Sequence, residues 1–194
     1  MIDWTPLTAL IVVDCQNDFA DPEGSLYVNG GEAVIGGVNG AITDAHQAGS
    51  PVFYTQDWHP EKTPHFKKYG GIWPVHCVAG TWGAEFHPAL VHDGAVVRKG
   101  ANGEDGYSGF TMRDPVDGTE IPTDLDALLR EAKVESVVVT GLALDYCVKA
   151  TAIDAARFGY RTIVPLRLTA AVELAPGDGE SAVAEIRESG AEVA

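Results

Sequence analysis

The chain is expected to fold as a three-layer α/β/α domain around a mostly parallel sheet of about six strands. Three observations predict this. Short runs at 9–13, 51–55, 95–98, 137–139 and 161–165 read as strands, and those at 9–13 and 137–139 are continuously apolar, the mark of strands buried in a parallel sheet. Segments with helical spacing of apolar residues alternate with these runs, the pattern of βα units. The 194 residues are 45% hydrophobic and 21% charged, enough for a sizeable core, and no repeat, low-complexity tract or linker divides them, so 1–194 is read as one domain.

The first strand, 9–13, runs into Asp14, and the stretches 16–19 and 21–24 have loop chemistry. A helix follows over 32–48. Val34, Val38, Ala41, Ile42 and Ala45 share its apolar face, Gly36, Gly37 and Gly40 weaken it, and Gly49 ends it. The second strand, 51–55, leads to Asp57. Residues 58–94 are rich in Pro, Gly, His and Trp and poor in periodicity, which marks a functional segment, with a short helix expected near 83–91. The third strand, 95–98, has Lys99 at its end. A Gly-rich loop fills 100–120, with a small hairpin around Asp117-Gly118. Thr123 and Asp126 resemble a capping pair for a helix whose apolar face is Leu125, Leu128, Leu129 and Ala132.

The fourth strand, 137–139, is broken by Gly141. Asp145 is the expected N-cap of a helix in which Val148, Thr151, Ala152, Ala155 and Phe158 recur until Gly159. Cys147 would then lie in a first helical turn, where unpaired N–H groups and the positive end of the macrodipole favour a thiolate. The N–H groups of Ala143 and Cys147 could hold a developing oxyanion there. A small buried core cysteine is the alternative at this position. After the fifth strand, 161–165, a helix over 180–188 and a short strand within 191–194 complete the chain.

Composition excludes some functions. The net charge of −15 and the lack of any basic cluster argue against nucleic acid. The apolar runs are too short to span a bilayer, and residues 1–4 show no signal-peptide pattern, so a cytoplasmic protein is expected. Cys15, Cys77 and Cys147 make an odd count, which fits a reducing compartment better than a disulfide framework.

Ligands in parallel α/β sheets bind beyond the carboxyl ends of the strands. Asp14, Asp57, Lys99 and Cys147 each follow one of four successive strands, so a parallel sheet would gather them on one edge. Asp14 can take the thiol proton of Cys147 if burial raises its pKa, and Lys99 can hold the negative charge. Taken singly, Asp14 fits a capping carboxylate and Lys99 a surface lysine; together with Cys147 they make a Cys–Asp–Lys constellation. Asp57, His59, His65 and His76 form a second group, suited to a first-row divalent ion such as zinc, iron or manganese. His46, His87 and His92 fit ordinary polar loop positions. Phe19, Trp73 and Tyr107 could wall a flat ring substrate, although on pattern alone closing the core beneath long loops is slightly the better fit.

In order along the chain, Asp14-Cys15-Gln16-Asn17-Asp18-Phe19, Asp57-Trp58-His59, Trp73-Pro74-Val75-His76-Cys77, Lys99-Gly100, Tyr107-Ser108-Gly109-Phe110 and 141–148 resemble the nicotinamidase/pyrazinamidase branch of the isochorismatase-like cysteine hydrolases. The resemblance spans residues 9 to about 170 and implies hydrolysis of nicotinamide to nicotinate and ammonia in NAD salvage, with pyrazinamide also accepted. It assigns Cys147 as nucleophile, Asp14 as base and acid, and Lys99 as the third triad member. It implies one divalent metal on Asp57, His59, His65 and His76, substrate contacts from Phe19, Trp73 and Tyr107, a cis peptide at 142–143, and an oxyanion hole from the N–H groups of Ala143 and Cys147. Tyr146, where some relatives carry histidine, and the acidic loop 100–106 depart from the family pattern. Homo-oligomerisation is left open. The competing readings are a related amide hydrolase with another substrate, and a non-enzymatic α/β protein that kept the fold.

Overall fold

The computed structural model describes residues 2–194. Strands β1 (Thr8–Val13), β2 (Val52–Asp57), β3 (Ala95–Lys99), β6 (Ser136–Leu142), β7 (Arg161–Val164) and β9 (Glu192–Val193) form one sheet in the order β3-β2-β1-β6-β7-β9, and β8 (Thr169–Ala170) pairs with the end of β6. Every pairing within that sheet is parallel. The sheet has seven strands against the six expected, the addition being the two-residue β8. β4 (Thr111–Arg113) and β5 (Glu120–Pro122) pair antiparallel outside it, as the hairpin around Asp117-Gly118 requires.

Alternation along β1 splits the core in two. Leu10 and Val12 face a cluster with Val34, Val38, Ala41 and Ile42 of α2 (Gly31–Gln47). Ala9, Ile11 and Val13 face the opposite cluster, with Leu125 and Leu129 of α3 (Leu125–Glu131), Ala152 and Ala155 of α4 (Lys149–Arg157) and Ile186 of α5 (Asp178–Glu188). Both faces of β1 are therefore covered, which is why its sequence is apolar throughout. β1 and β6 lie side by side at the centre, with β2 and β3 to one side and β7 and β9 to the other. The chain thus reverses its order of strand addition between β1 and β6, where such sheets open a crevice beyond their carboxyl ends. Val13 pairs with Gly141 there, and Gly141 adopts φ +100° with its Cα pressed against the Val13 backbone, so no side chain fits.

Two expected elements differ. The short helix near 83–91 is only a 3₁₀ turn at Trp82–Ala84; beyond it the chain extends so that Phe86 bridges Gln16 and Glu85 accepts the Asn17 N–H. Asp145 is not a helix cap. Leu144–Val148 is a π-helical turn entered from Ala143, and α4 proper starts at Lys149. The Asp145 carboxylate turns away to accept the N–H groups of Val172 and Glu173, both at 2.9 Å. Its pull toward two backbone donors of a neighbouring loop outweighs a local cap. Asp145→Ala leaves both donors without that acceptor, and an expected loss of about 2–4 kcal/mol should appear as a lower urea midpoint, with Asp145→Asn losing less.

Candidate active site

The carboxyl edge of the sheet brings the four strand-end residues together. Asp57 and Lys99 are register partners at the ends of β2 and β3. Asp14 follows β1 with φ +45°, a left-handed conformation uncommon outside glycine, which aims its side chain across the edge. Its Oδ1 accepts the Thr55 hydroxyl at 2.7 Å and its Oδ2 accepts Lys99 Nζ at 2.7 Å. Lys99 is wholly buried, and its ammonium also donates to the Gly106 carbonyl at 2.5 Å and lies 2.8 Å from Asp57 Oδ1. Cys147 Sγ sits 3.5 Å from Nζ and within 4.8 Å of an oxygen of Asp14. A Cβ on Gly106 would stand 2.7 Å from Lys99 Cβ, so only glycine lets the 100–106 loop close over the lysine stem.

Burial and charge act in opposite directions on these groups. Burial raises the Asp14 pKa and Asp57 adds to the rise, while Lys99 and the Thr55 hydrogen bond lower it, for a net value of about 6. Burial also pushes up the Cys147 thiol, and the Asp14 and Asp57 carboxylates reinforce this against the pull of Lys99. Burial is the largest of these effects, and it favours the neutral thiol at rest despite Lys99 and the turn's free N–H groups. Burial opposes the charge on Lys99, but Asp14 and Asp57 outweigh it and hold the ammonium ionised. Burial likewise opposes the Asp57 charge, yet Lys99, His59 and His76 hold its pKa well below the usual carboxylate range.

Beside this cluster, His59, His65 and His76 point ring nitrogens at one spot, with all three within 4.8 Å of one another. Asp57 Oδ2 lies 3.6 Å from His59 Nε2 and 3.9 Å from His76 Nε2. His76 Nδ1 stands 2.8 Å from the Pro74 carbonyl and His65 Nδ1 stands 2.7 Å from Asp105 Oδ1. Because a carbonyl can only accept and an ionised carboxylate does the same, both Nδ1 atoms carry the proton and both Nε2 lone pairs face the shared spot. Burial lowers the pKa of His65, and lowers that of His76 to about 4, which keeps both rings neutral. His59 is fully buried with neither ring nitrogen hydrogen-bonded. Buried polar atoms without partners are rare and disfavoured. Neutral imidazoles, an ionised carboxylate and orphaned lone pairs converging on one point fit a divalent cation.

The motif around Asp14 braces this arrangement. Gln16 donates to the carbonyls of Asp57 and Ala84, at 2.7 and 2.9 Å, and accepts the Asp57 N–H at 2.8 Å. Asp18, on α1 (Asn17–Ala20), accepts the Cys77 N–H at 2.7 Å and the Ser25 N–H at 2.9 Å, which ties the 73–77 loop to the first strand's exit. Cys15 and Cys77 are buried, and neither lines the cavity that Cys147 reaches, so neither is placed to act as a nucleophile there.

Cys147, Asp57, His65 and His76 line a common cavity with Phe19, Trp73, Tyr107, Ala143 and Tyr146. Its aromatic walls have the chemistry to hold a flat ring. Trp73 Nε1 donates to the Tyr107 hydroxyl at 2.8 Å, and Tyr146 meets Trp73 edge-to-face at 4.7 Å between centroids. Of the two roles open to Phe19, Trp73 and Tyr107, the structure shows them walling the cavity. The peptide between Leu142 and Ala143 is cis. Asp14, Lys99, Cys147, Asp57, His59, His65, His76, Phe19, Trp73, Tyr107 and Ala143 thus lie in one contiguous region. Sequence reasoning missed Thr55, Asp105, Leu26 and Val172. Thr55 sits inside a strand and Asp105 in a loop with no periodicity, so only three-dimensional proximity reveals their partners. His87, taken as an ordinary loop residue, is buried away from the site, its N–H donated to the Cys15 carbonyl.

Residues 8–194 match the isochorismatase domain model. The nicotinamidase/pyrazinamidase of Mycobacterium tuberculosis is 42% identical over 86% of this chain and 88% of its own length. The crystal structure of PnC1 from L. infantum in complex with nicotinate superposes with a TM-score of 0.90 at 36% identity, covering 100% of this chain and 95% of that one. A pyrazinamidase of Pyrococcus horikoshii in complex with zinc gives a TM-score of 0.85 at 37% identity over 97% and 99% of the two chains. With the sheet order, the buried cysteine cluster and the histidine group already in place, this chain belongs to the isochorismatase family, in its nicotinamidase/pyrazinamidase branch.

Proposed function

We propose that the protein hydrolyses nicotinamide to nicotinate and ammonia, and pyrazinamide by the same route. The observation that carries this is the placement of a buried Cys147–Asp14–Lys99 cluster beside the grouped His59, His65 and His76, with Asp57 next to His59 and His76, at one aromatic-walled cavity. The activity of the nicotinamidase/pyrazinamidase relative and the nicotinate bound in the L. infantum structure support the choice of substrate.

In this reading Phe19 and Trp73 sandwich the pyridine ring and Tyr107 closes the rim. Asp14 takes the proton from Cys147 as sulfur attacks the carboxamide carbon, and the N–H groups of Ala143 and Cys147 hold the resulting oxyanion. Asp14, now protonated, passes that proton to the departing nitrogen. The C–N bond breaks, ammonia leaves, and a thioester remains on Cys147. Asp14 then takes a proton from water. The hydroxide formed attacks the thioester carbon, and the new carboxyl group gives its proton to solvent as nicotinate is released. Cys147 leaves as thiolate and regains the proton from Asp14. Lys99 keeps its charge throughout and compensates whichever of sulfur and Asp14 is negative. Asp57, His59, His65 and His76 would hold one divalent cation, which when bound supplies a Lewis-acid anchor for the ring nitrogen. Four protein ligands plus a substrate atom exceed a tetrahedral shell. Iron or manganese therefore suits the site directly, and zinc suits it on expanding its shell. The three free cysteines support a reducing, cytoplasmic setting, and no helix among the described residues is long and apolar enough to cross a membrane.

Because Asp14 must be ionised to act as base, its raised pKa sets an acid limb. The carboxylate form is lost as pH falls through about 6, so kcat/KM is expected to hold steady above that value and to drop about tenfold per pH unit below it. A profile flat down to pH 4 would assign the base role elsewhere. The substrate itself is tested by incubating purified protein with nicotinamide and following nicotinate and ammonia together. Equal amounts of both are expected, and neither from a folded, metal-loaded sample would remove nicotinamide as substrate.

A further inference from the structure

We propose that Asp105 is a positioning residue for the cation site, fixing His65 in the Nδ1–H tautomer so that its Nε2 lone pair points at the ion. This rests on the reading of Asp57, His59, His65 and His76 as ligands. Asp105 lies outside that set and outside the Cys147 cluster.

The ring of His65 is nearly buried, its side chain 5% exposed, and among the described residues Asp105 Oδ1, at 2.7 Å, is the sole hydrogen-bond partner of that ring. A free imidazole can place its proton on either nitrogen. Pairing Nδ1 with a carboxylate selects one form and makes the opposite nitrogen a better donor to a cation. His76 is set by the Pro74 carbonyl, a backbone group that its own loop supplies. His65 has no such local acceptor and depends on a residue forty positions away.

Asp105 is held for this task. Its N–H donates to the Arg113 carbonyl at 2.8 Å and its carbonyl accepts the Arg113 N–H at 2.9 Å, which splices the 100–106 loop onto β4. From the other side, Thr63 Oγ1 donates to the Gly103 carbonyl at 3.1 Å and accepts the His65 N–H at 3.2 Å. The two loops are therefore buttoned together on either side of the His65–Asp105 pair. The next residue, Gly106, is the one whose carbonyl receives Lys99 Nζ, so a single loop braces the histidine through Asp105 and the lysine through Gly106.

The test compares wild type, Asp105→Ala, Asp105→Asn and His65→Ala for binding of zinc ion alone, by competition with a chromogenic chelator. Asp105→Ala is expected to weaken zinc binding about 10–100-fold. Asp105→Asn, whose amide oxygen can still accept from Nδ1, should recover much of that loss, and His65→Ala should lose more than either. On metal-free protein, two-bond ¹H–¹⁵N correlation of the imidazoles should show His65 as the Nδ1–H tautomer in wild type and a tautomer mixture in Asp105→Ala. Wild-type protein that binds zinc, with Asp105→Ala equal to it and its His65 tautomer unchanged, would overturn the positioning role while leaving the site intact. Wild-type protein that binds no zinc would overturn the site reading itself, and the role of Asp105 with it.

Discussion

Cys147→Ala is expected to abolish ammonia release, lowering turnover by about 10⁴-fold or more, while nicotinamide still binds within a few-fold of wild type. The size follows from the absence of a substitute: neither Cys15 nor Cys77 lines the cavity, and no other thiol or aliphatic hydroxyl lines it either. Binding survives because the groups assigned to hold the ring (Phe19, Trp73 and the Asp57 and histidine cluster) are untouched by losing one sulfur. The alanine should also fold normally, since the site loses a thiol that is neutral at rest, whose removal leaves no charge uncompensated. Turnover within tenfold of wild type, with binding intact, would mean that attack on the amide does not pass through this residue.

Lys99→Met is expected to damage both stability and turnover. The ammonium is completely buried and serves Asp14, Asp57 and the Gly106 carbonyl at once. Methionine has a similar length but removes the charge, leaving two buried carboxylates facing one another without a counter-ion. Breaking a buried ion pair by deleting one partner costs about 3–5 kcal/mol, and here one deletion breaks two pairs. The urea midpoint should fall accordingly. Turnover should fall by about 10³-fold or more, because Asp14 without Lys99 would hold its proton and cease to act as a base at neutral pH. A folded Lys99→Met protein of wild-type stability would show that the lysine is dispensable to the cluster's charge balance. Raising divalent ion concentration should restore part of the stability if the ion and Lys99 share in neutralising Asp57.

The central strands were legible because they are buried on both faces, so continuous apolar runs such as Ile11 to Val13 leave few alternatives, whereas β3 at the sheet's edge exposes Ala95, Val96 and Arg98. The strand-end rule then placed Asp14, Asp57, Lys99 and Cys147 together before any distance was known, and the register of Asp57 beside Lys99 follows from the same rule. The expectations that failed were local ones. Asp145 has the composition of a cap, but two N–H groups brought in by a distant loop claimed its carboxylate. The balance of charges around Cys147 was only partly legible, because helix position is visible in a sequence, whereas its burial and the charges of Lys99, Asp14 and Asp57 around it come from the packing of other strands. Asp105 was passed over as part of an acidic, glycine-rich loop. Its function depends on the Thr63–Gly103 and Arg113 contacts that fix the loop in space, and no spacing rule encodes those.

The most direct test of the central claim, that one cavity joins cysteine chemistry to a metal-anchored ring, is ammonia release from nicotinamide before chelation, after it, and after add-back of single ions, with metal content read on the same samples. Release that falls with metal content and returns on restoring one divalent ion to one equivalent per chain is the expected result. Release that persists undiminished in protein shown to be metal-free would contradict the claim and detach Asp57, His59, His65 and His76 from the reaction.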